Sequence, residues 1–452
     1  MKHNCLKKLF CAAAFLLCLV PLLVFLIAGP AQAGANERLP AKPALLRAGR
    51  INWDVLSDTA DYFAGRFGLR QELITANAAV QAAVFHESAA EDVLLGAEGW
   101  LYYADTLPDY TGSGTMTERQ LWCAARNLAL MQEYAASRGA ELLFLCAPNK
   151  NTIYPEYMPP HYEQGSGASN LDRLMDALDA QDVLSCDVRQ VLRSADALTY
   201  YKTDSHWNGY GSALAHDAIM QTIGGEGSLR SEDFTAQPHT GDLYQMLYPA
   251  SARQESGLCL ARPRTFRYAG EVRGADDQSI HTFSTAQGAL LVFRDSFGNA
   301  LHEDLAESWG EALFSRAMPY DLSMMNQILP DTVIVELVER NLSWLCTRPP
   351  LLPAPVRTDV PAPARVSSGT AAIRTAAIRT DTDTWEGMVR YQGTFTDMTP
   401  DDDAPVYVCL DGTWYEACPT DTGFSLIAPA AKELTVCVVC DGTLCQISVT
   451  TE

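Results

Sequence analysis

Short runs of consecutive apolar residues limit what this chain can fold into. Glu141-Leu-Leu-Phe-Leu-Cys-Ala147, Ala289–Phe293 and Val333–Val338 are apolar almost throughout, and Val183–Val188 is a further short strand candidate. A strand with one wet face alternates polar and apolar residues. A strand without that alternation is buried on both faces, as in a parallel sheet. Helical patterns lie between the runs. Thr117-Glu-Arg-Gln120 is a capping box opening a helix through Leu121, Leu128, Leu130, Met131 and Tyr134. A second helix starts near Ser169 and runs through Leu171, Leu174 and Leu178, and a third spans 210–223. The alternation predicts an α/β fold, a mostly parallel sheet flanked by helices, with functional loops at the carboxyl ends of the strands.

The 452-residue length allows more than one core. Lys2, Lys7 and Lys8 precede an uncharged apolar run, Leu9 to Ala28, broken only by Pro21, and Ala31-Gln-Ala33 offers a small-x-small cleavage site. Residues 1–33 therefore read as a signal peptide or a single-pass membrane anchor, with everything after Gly34 outside the cytoplasm. The expected order then runs from a stalk and helical lead-in (34–90) to the α/β domain (91–345). A proline-rich linker (346–384) carrying a tandem Ala-Ile-Arg-Thr repeat at 372–375 and 377–380 follows. Residues 385–452 alternate like strands, and Asp411-Gly412 and Asp441-Gly442 mark hairpins, so a small all-β, sandwich-like module is expected there. The formal charge of −22 argues against nucleic acid or anionic lipid as the main partner and makes a neutral or cationic substrate electrostatically easier. Ten of the thirteen cysteines follow the targeting segment, where disulfides are plausible but their connectivity is unreadable. Cys437 and Cys440, three apart in a strand-like run, face opposite sides and are a poor redox or zinc pair.

Two segments carry chemistry. Tyr200-Tyr-Lys-Thr-Asp-Ser-His-Trp-Asn208 places Asp204 and His206 two apart on an extended loop, pointing the same way. A serine nucleophile needs such a base, and the base needs an acid to hold its tautomer. The plain alternative is that His206 and Trp207 plug the loop against the core. Leu290-Leu-Val-Phe-Arg-Asp-Ser-Phe-Gly298 reads as a strand, a sharp turn and a helix, so Ser296 stands at a strand end beside helix amides able to bind an oxyanion. The alternative for Ser296 is an ordinary helix cap. Asp204, His206, His216 and Asp217 are close in sequence, but the last two fall in a helix, and no zinc-type spacing accompanies them; no metal is expected. His302 and Glu303 are expected on an exposed helix face. No phosphate-binding or dinucleotide loop is present, and no cofactor is expected.

Asp204-Ser-His-Trp207 with Arg294-Asp-Ser-Phe-Gly298 resembles the DHHW family, which is similar to the periplasmic alginate O-acetyltransferase proteins with their SGNH-hydrolase-like domain. Asn36–Leu39, Tyr62-Phe63, Phe67–Arg70, Gly99–Tyr102, Pro148–Lys150, Tyr154-Pro155 and Glu336–Arg340 fit the same family, so the resemblance covers about residues 36–345. It implies a catalytic triad of Asp204, His206 and Ser296. Two departures stand out: Asp-x-His precedes the serine, the reverse of ordinary SGNH esterases, and position 205 is Ser rather than the His of the family label.

With the resemblance, the expected function is an extracytoplasmic O-acyltransferase acting through an acyl-serine, O-acetylating a cell-surface or exported polysaccharide. A glycan acceptor and an integral-membrane acyl-transfer partner are the implied partners. The amides near Ser296 and the Asn149 side chain are candidate oxyanion donors, Arg294 and Tyr154 candidate sugar contacts, and Lys150 is equally readable as a solvated loop charge. A carbohydrate esterase with the same triad, and a non-catalytic surface protein whose β-module binds glycan or a partner, are the competing readings.

Overall fold

The computed structural model describes residues 2–32, 39–47, 49–225, 233–261, 263–377 and 385–451. The apolar runs form the middle of a seven-stranded sheet. In spatial order it holds Ser185–Asp187, Glu141–Ala147, Thr332–Val338, Ala289–Phe293, Glu311–Ser315, Ser279–Phe283 and Arg267–Tyr268. The first five are mutually parallel, and the last two close one edge antiparallel. The mostly parallel sheet expected from the sequence is present.

Alternation within each run explains why both faces are covered. Leu142, Phe144, Val333, Val335, Leu291 and Phe293 point into one core with Leu121, Leu128 and Met131 of the helix Glu118–Ser137 and with Leu171, Leu174 and Leu178 of Asn170–Asp179. Leu143, Leu145, Ile334, Leu290 and Val292 point the other way, to the helices Gly209–Thr222 and Gly298–Ser308. Both capping boxes form: Thr117 with Gln120, and Ser169 with Asp172.

The C-terminal all-β module is a closed seven-stranded barrel rather than two facing sheets. Both Asp-Gly hairpins form, with positive φ at Asp411, Gly412, Asp441 and Gly442, the geometry of a type I′ turn. The barrel closes because Arg365–Ala377, inside the stretch expected as linker, pairs parallel to Thr443–Thr451. Ala371 and Ile373 fill the interior while Arg374 is outside, so part of the Ala-Ile-Arg-Thr repeat is strand alternation. Residues 378–384, with the rest of the repeat, lie outside the described residues, as do Ala33 and most of the Asn36–Leu39 motif.

Barrel and α/β domain share a polar, buried seam along Glu118–Ser137. Arg119 donates to the carbonyls of Asp401, Asp402 and Ala404, and Asn127 to those of Leu345 and Pro419. Glu416 is buried between Arg126, at 2.7 Å to each carboxylate oxygen, and Arg357, at 2.8 Å. Of the twelve cysteines whose side chains are described, none is paired in a disulfide.

Candidate active site

The loop 204–208 is fixed from several sides. Lys150, at the start of the short helix that follows Glu141–Ala147, donates from Nζ to the carbonyls of Tyr201, Lys202 and Asp204 at 3.2, 3.0 and 2.6 Å. Trp207 is buried and donates its indole N–H to the Phe297 carbonyl at 3.0 Å. Asn208 caps the helix Gly209–Thr222, accepting from Tyr210 and Gly211. Asp204 Oδ1 accepts the His206 backbone N–H at 2.9 Å and lies 2.7 Å from His206 Nδ1. The two-residue spacing thus folds back on itself and fixes the imidazole.

Ser296 stands in the turn beyond Phe293, the last residue of the strand Ala289–Phe293. Its Oγ is 2.9 Å from His206 Nε2. The helix begins at Gly298 and the Ser296 side chain does not cap it. Asp295 shapes the turn, accepting from the N–H of Phe297 at 2.8 Å and of Val338 at 2.8 Å. Glu336, the one acid in Thr332–Val338, faces the Gly298–Ser308 side and accepts from the N–H of Asp295 and Gly298. The Phe297 and Gly298 amides are therefore engaged. The Ser296 N–H makes no hydrogen bond among the described residues and remains for an oxyanion.

The charges fit a resting base. Burial works to raise Asp204, but hydrogen bonds from His206 and His239, the His206 charge and the Asp242 amide hold it well below the usual carboxylate range. Burial lowers His206, yet the hydrogen bond and charge of Asp204, with Asp242, outweigh this and raise its pKa. An ionised Asp204 accepts the Nδ1–H hydrogen bond and keeps the proton on Nδ1, which leaves Nε2 to accept from the serine hydroxyl. Beneath the turn, burial and the Asp295 charge push Glu336 well above its usual value, which favours the neutral carboxyl.

Several residues of the site were not singled out from the sequence. His239 Nε2 is 2.8 Å from Asp204 Oδ2, with its ring stacked on Tyr201. Asp242 donates its N–H to Asp204 Oδ2 and accepts from both the N–H and the hydroxyl of Ser205. Ser205, at the position where the family label has His, thus ties a second carboxylate to the loop. Arg340 lies over the rings of Tyr103 and Phe297 with no carboxylate partner among the described residues. Ligating atoms of Asp204, His206 and Asp242 lie within 4.8 Å of one another. Nδ1 is held by Asp204, and the Asp242 oxygens by Ser205 and Leu243, so a cation would displace bonds already made.

The remaining expectations divide. Asn149 is 0% exposed and gives its side-chain N–H to Asp109 at 3.1 Å, away from Ser296's cavities. Tyr154 bonds to Thr199 and packs on Trp100 without lining either cavity. Arg294 does line one, although its guanidinium is spent on Asn299 and the carbonyls of Ala275 and Asp277. Lys150 is not a solvated charge: it is 3% exposed, and burial lowers its pKa to about 8. His302 is buried rather than exposed, bonded to Tyr268 and to the Asn299 carbonyl, because its helix face packs under Arg267–Tyr268. His216 is buried against Ser308 and does not join the site.

Two cavities meet at Ser296. One, of about 540 Å³, is lined by Asp204, His206, Trp207, His239, Phe297 and Glu303 among others. The second, of about 350 Å³, lies over the carboxyl ends of the strands between Arg294, Arg316, Tyr103, Arg340 and Trp344. A mostly parallel sheet covered on both faces, with a serine past a central strand and an Asp-x-His loop beside it, is the arrangement of an SGNH-hydrolase-like domain. Residues 93–313 match the family model of the SGNH hydrolase-like domain of the acetyltransferase AlgX, a span that includes both the 204–208 loop and the Ser296 turn. Among solved structures the chain is similar to PatB1 of Bacillus cereus (19% identity over 55% of this chain and 96% of that one, TM-score 0.44). It is also similar to a DHHW family protein from Eubacterium siraeum (14%, 51% and 90%, TM-score 0.41). A third is the O-acetyltransferase domain of Pseudomonas putida AlgJ (18%, 56% and 92%, TM-score 0.39). No curated protein sequence matches the chain.

Proposed function

We propose that this protein is an extracytoplasmic serine O-acyltransferase that acetylates a cell-surface or exported polysaccharide through an acyl-Ser296 intermediate. The observation that carries the reading is the unbroken hydrogen-bonded chain Asp204–His206–Ser296 at the junction of two cavities. Support for acetyl transfer comes from the acetyltransferase family model matching residues 93–313.

In the first half-reaction Ser296 Oγ attacks the acyl carbonyl while His206 Nε2 takes its proton. The Ser296 N–H faces the developing oxyanion. The C–O bond to the donor breaks as His206 returns the proton to the leaving oxygen. In the second half an acceptor hydroxyl gives its proton to His206 and attacks the acyl-serine; the acyl C–Oγ bond breaks as His206 returns that proton to Oγ, regenerating Ser296. The acceptor oxygen must lie within hydrogen-bond reach of Nε2. His206 lines the 540 Å³ cavity and not the other, so the acceptor enters there. Water in that place makes the enzyme an esterase.

The N-terminal helix Lys2–Ala28 serves in this reading as a retained anchor, since Phe25 packs on Tyr62 and Phe63 and the Gly68 N–H bonds to the Pro21 carbonyl. An integral-membrane acyl donor would suit an enzyme held at that surface. The test is turnover of an activated acetyl ester with and without an oligosaccharide acceptor. Acetylated sugar formed by wild type and absent with Ser296→Ala supports transfer. Acetate alone, whatever the acceptor, supports the esterase, and equal rates in the two proteins overturn both.

A further inference from the structure

Exposed large apolar side chains are unevenly distributed on this molecule. Outside the N-terminal helix, eleven fall between Leu45 and Phe85, and only five in all the described residues beyond. Trp53 is 86% exposed and Leu56 83%, and Leu46 and Ile51, paired across a hairpin of two residues per strand, shortly precede them in the chain. Single exposed apolar residues are ordinary; a contiguous group marks a surface that is covered.

The same segment touches the N-terminal helix below its outer end. Lys7–Ala28 is long and apolar enough to cross a bilayer. At about 1.5 Å per residue, Pro21 lies about 10 Å inside Ala28. The turn Phe67-Gly68 reaches that depth. Gly68 bonds to the Pro21 carbonyl, and a Cβ placed on it would meet Val24 Cβ at 2.6 Å, so only glycine allows the approach. Phe25 meets Tyr62 and Phe63 edge-on just above. Charge agrees with this placement. Residues 39–85 carry five bases and four acids in a chain of net −22, so this is a segment that anionic headgroups do not repel. Arg66 folds back over Tyr62 to the carbonyls of Ala31 and Pro40, keeping its charge off the apolar face.

We infer that residues 45–47 and 49–85 form a collar seated in the outer leaflet of the bilayer that the N-terminal helix crosses, with Trp53 and Leu56 among the acyl chains and headgroups. The inference rests on the anchor reading above. The collar is tied to the catalytic loop through few steps. Ala78 of the helix Arg70–Val80 packs with Leu243 and Leu247, and Thr75 accepts the Ala250 N–H. The helix Asp242–Leu247 begins at the residue that holds Asp204 and Ser205. Seating the collar therefore fixes the orientation of the site to the membrane as well as its tether.

Trp53 is its own reporter, and Trp53→Phe removes it without touching the core. The full chain is reconstituted in phosphatidylcholine–phosphatidylglycerol vesicles, with and without acyl-chain bromination, and tryptophan emission is compared with that of Trp53→Phe. The collar predicts loss of most of the Trp53-dependent emission in brominated lipid, and smaller losses when Gly68→Leu pushes the turn off Val24. Emission untouched by brominated lipid but quenched by aqueous acrylamide overturns it. Protection from both places Trp53 against another protein surface and overturns it too. Intact mass of the reconstituted chain separates the two readings: a chain lacking its first 33 residues defeats the anchor, whereas an intact chain with a wet Trp53 defeats only the collar.

Discussion

Replacing Asp204 by Asn tests how the loop chemistry works, because the carboxylate is surrounded by donors. Oδ1 accepts from the His206 N–H and Nδ1, while Oδ2 accepts from the Asp242 N–H and faces His239 Nε2. An asparagine cannot serve both sides. With its oxygen toward His206, its NH2 meets the Asp242 N–H. With its NH2 toward His206, it meets the backbone N–H there and forces the proton onto Nε2, which then cannot accept from Ser296. Either way a buried amide opposes a fixed donor, at about 1–3 kcal/mol of stability. Loss of a triad acid costs about 10³–10⁴-fold in kcat, or about 4–5.5 kcal/mol of transition-state stabilisation. The acid limb of kcat/KM should also move to lower pH, since Asp204 is what raises His206 against its burial. The assay is acetyl-ester turnover across pH, with urea unfolding of the same samples. A folded Asp204→Asn protein within tenfold of wild type, with an unmoved acid limb, refutes the reasoning.

Other consequences follow from the same contacts. Burial and the Asp295 charge raise Glu336 in the fold above its unfolded value, so its contribution to stability is present below about pH 4.3 and is lost as pH rises through the raised folded value. Glu336→Gln keeps an acceptor for the Asp295 and Gly298 amides, and its advantage over wild type in urea midpoint should grow from pH 4 toward neutrality; parallel pH profiles would contradict a raised Glu336. Glu416→Gln leaves Arg126 and Arg357, each about a quarter exposed, without their shared carboxylate. Discounted for that exposure, the loss is about 2–3 kcal/mol, read as a lower urea midpoint with acetyl-ester turnover unchanged in the folded protein. Chelator treatment should leave ester turnover as it was, the atoms of Asp204, His206 and Asp242 being already engaged with one another and with Ser205; a loss restored by added divalent metal would show otherwise.

The sheet was legible because its strands are apolar on both faces, a pattern few other environments tolerate. The segments that carry the proposed triad were legible because Asp204 and His206 lie two apart in one loop and Ser296 follows a readable strand, while their joining into one hydrogen-bonded chain was implied by the family resemblance. His239 and Asp242 were not, since they reach Asp204 across more than thirty residues with no periodic signal. Lys150 looked like a loop charge because its burial depends on three carbonyls that only the folded loop turns toward it. His302 misled in the same way, its helix face being covered by a two-residue edge strand too short to read. Barrel closure depends on a parallel pairing between Arg365–Ala377 and the last strand, which no turn announces, and the alanines and threonines of that strand resemble a linker.

The most direct measurement is the fate of Ser296 during turnover. The full chain is mixed with an activated acetyl ester, quenched within the first turnovers, and mapped by peptide mass beside Ser296→Ala and His206→Ala. An acetyl group on the peptide containing Ser296, absent from both variants, is the result this account predicts. Wild-type protein that turns over the ester with Ser296 unmodified, and at the rate of a folded Ser296→Ala variant, would contradict it.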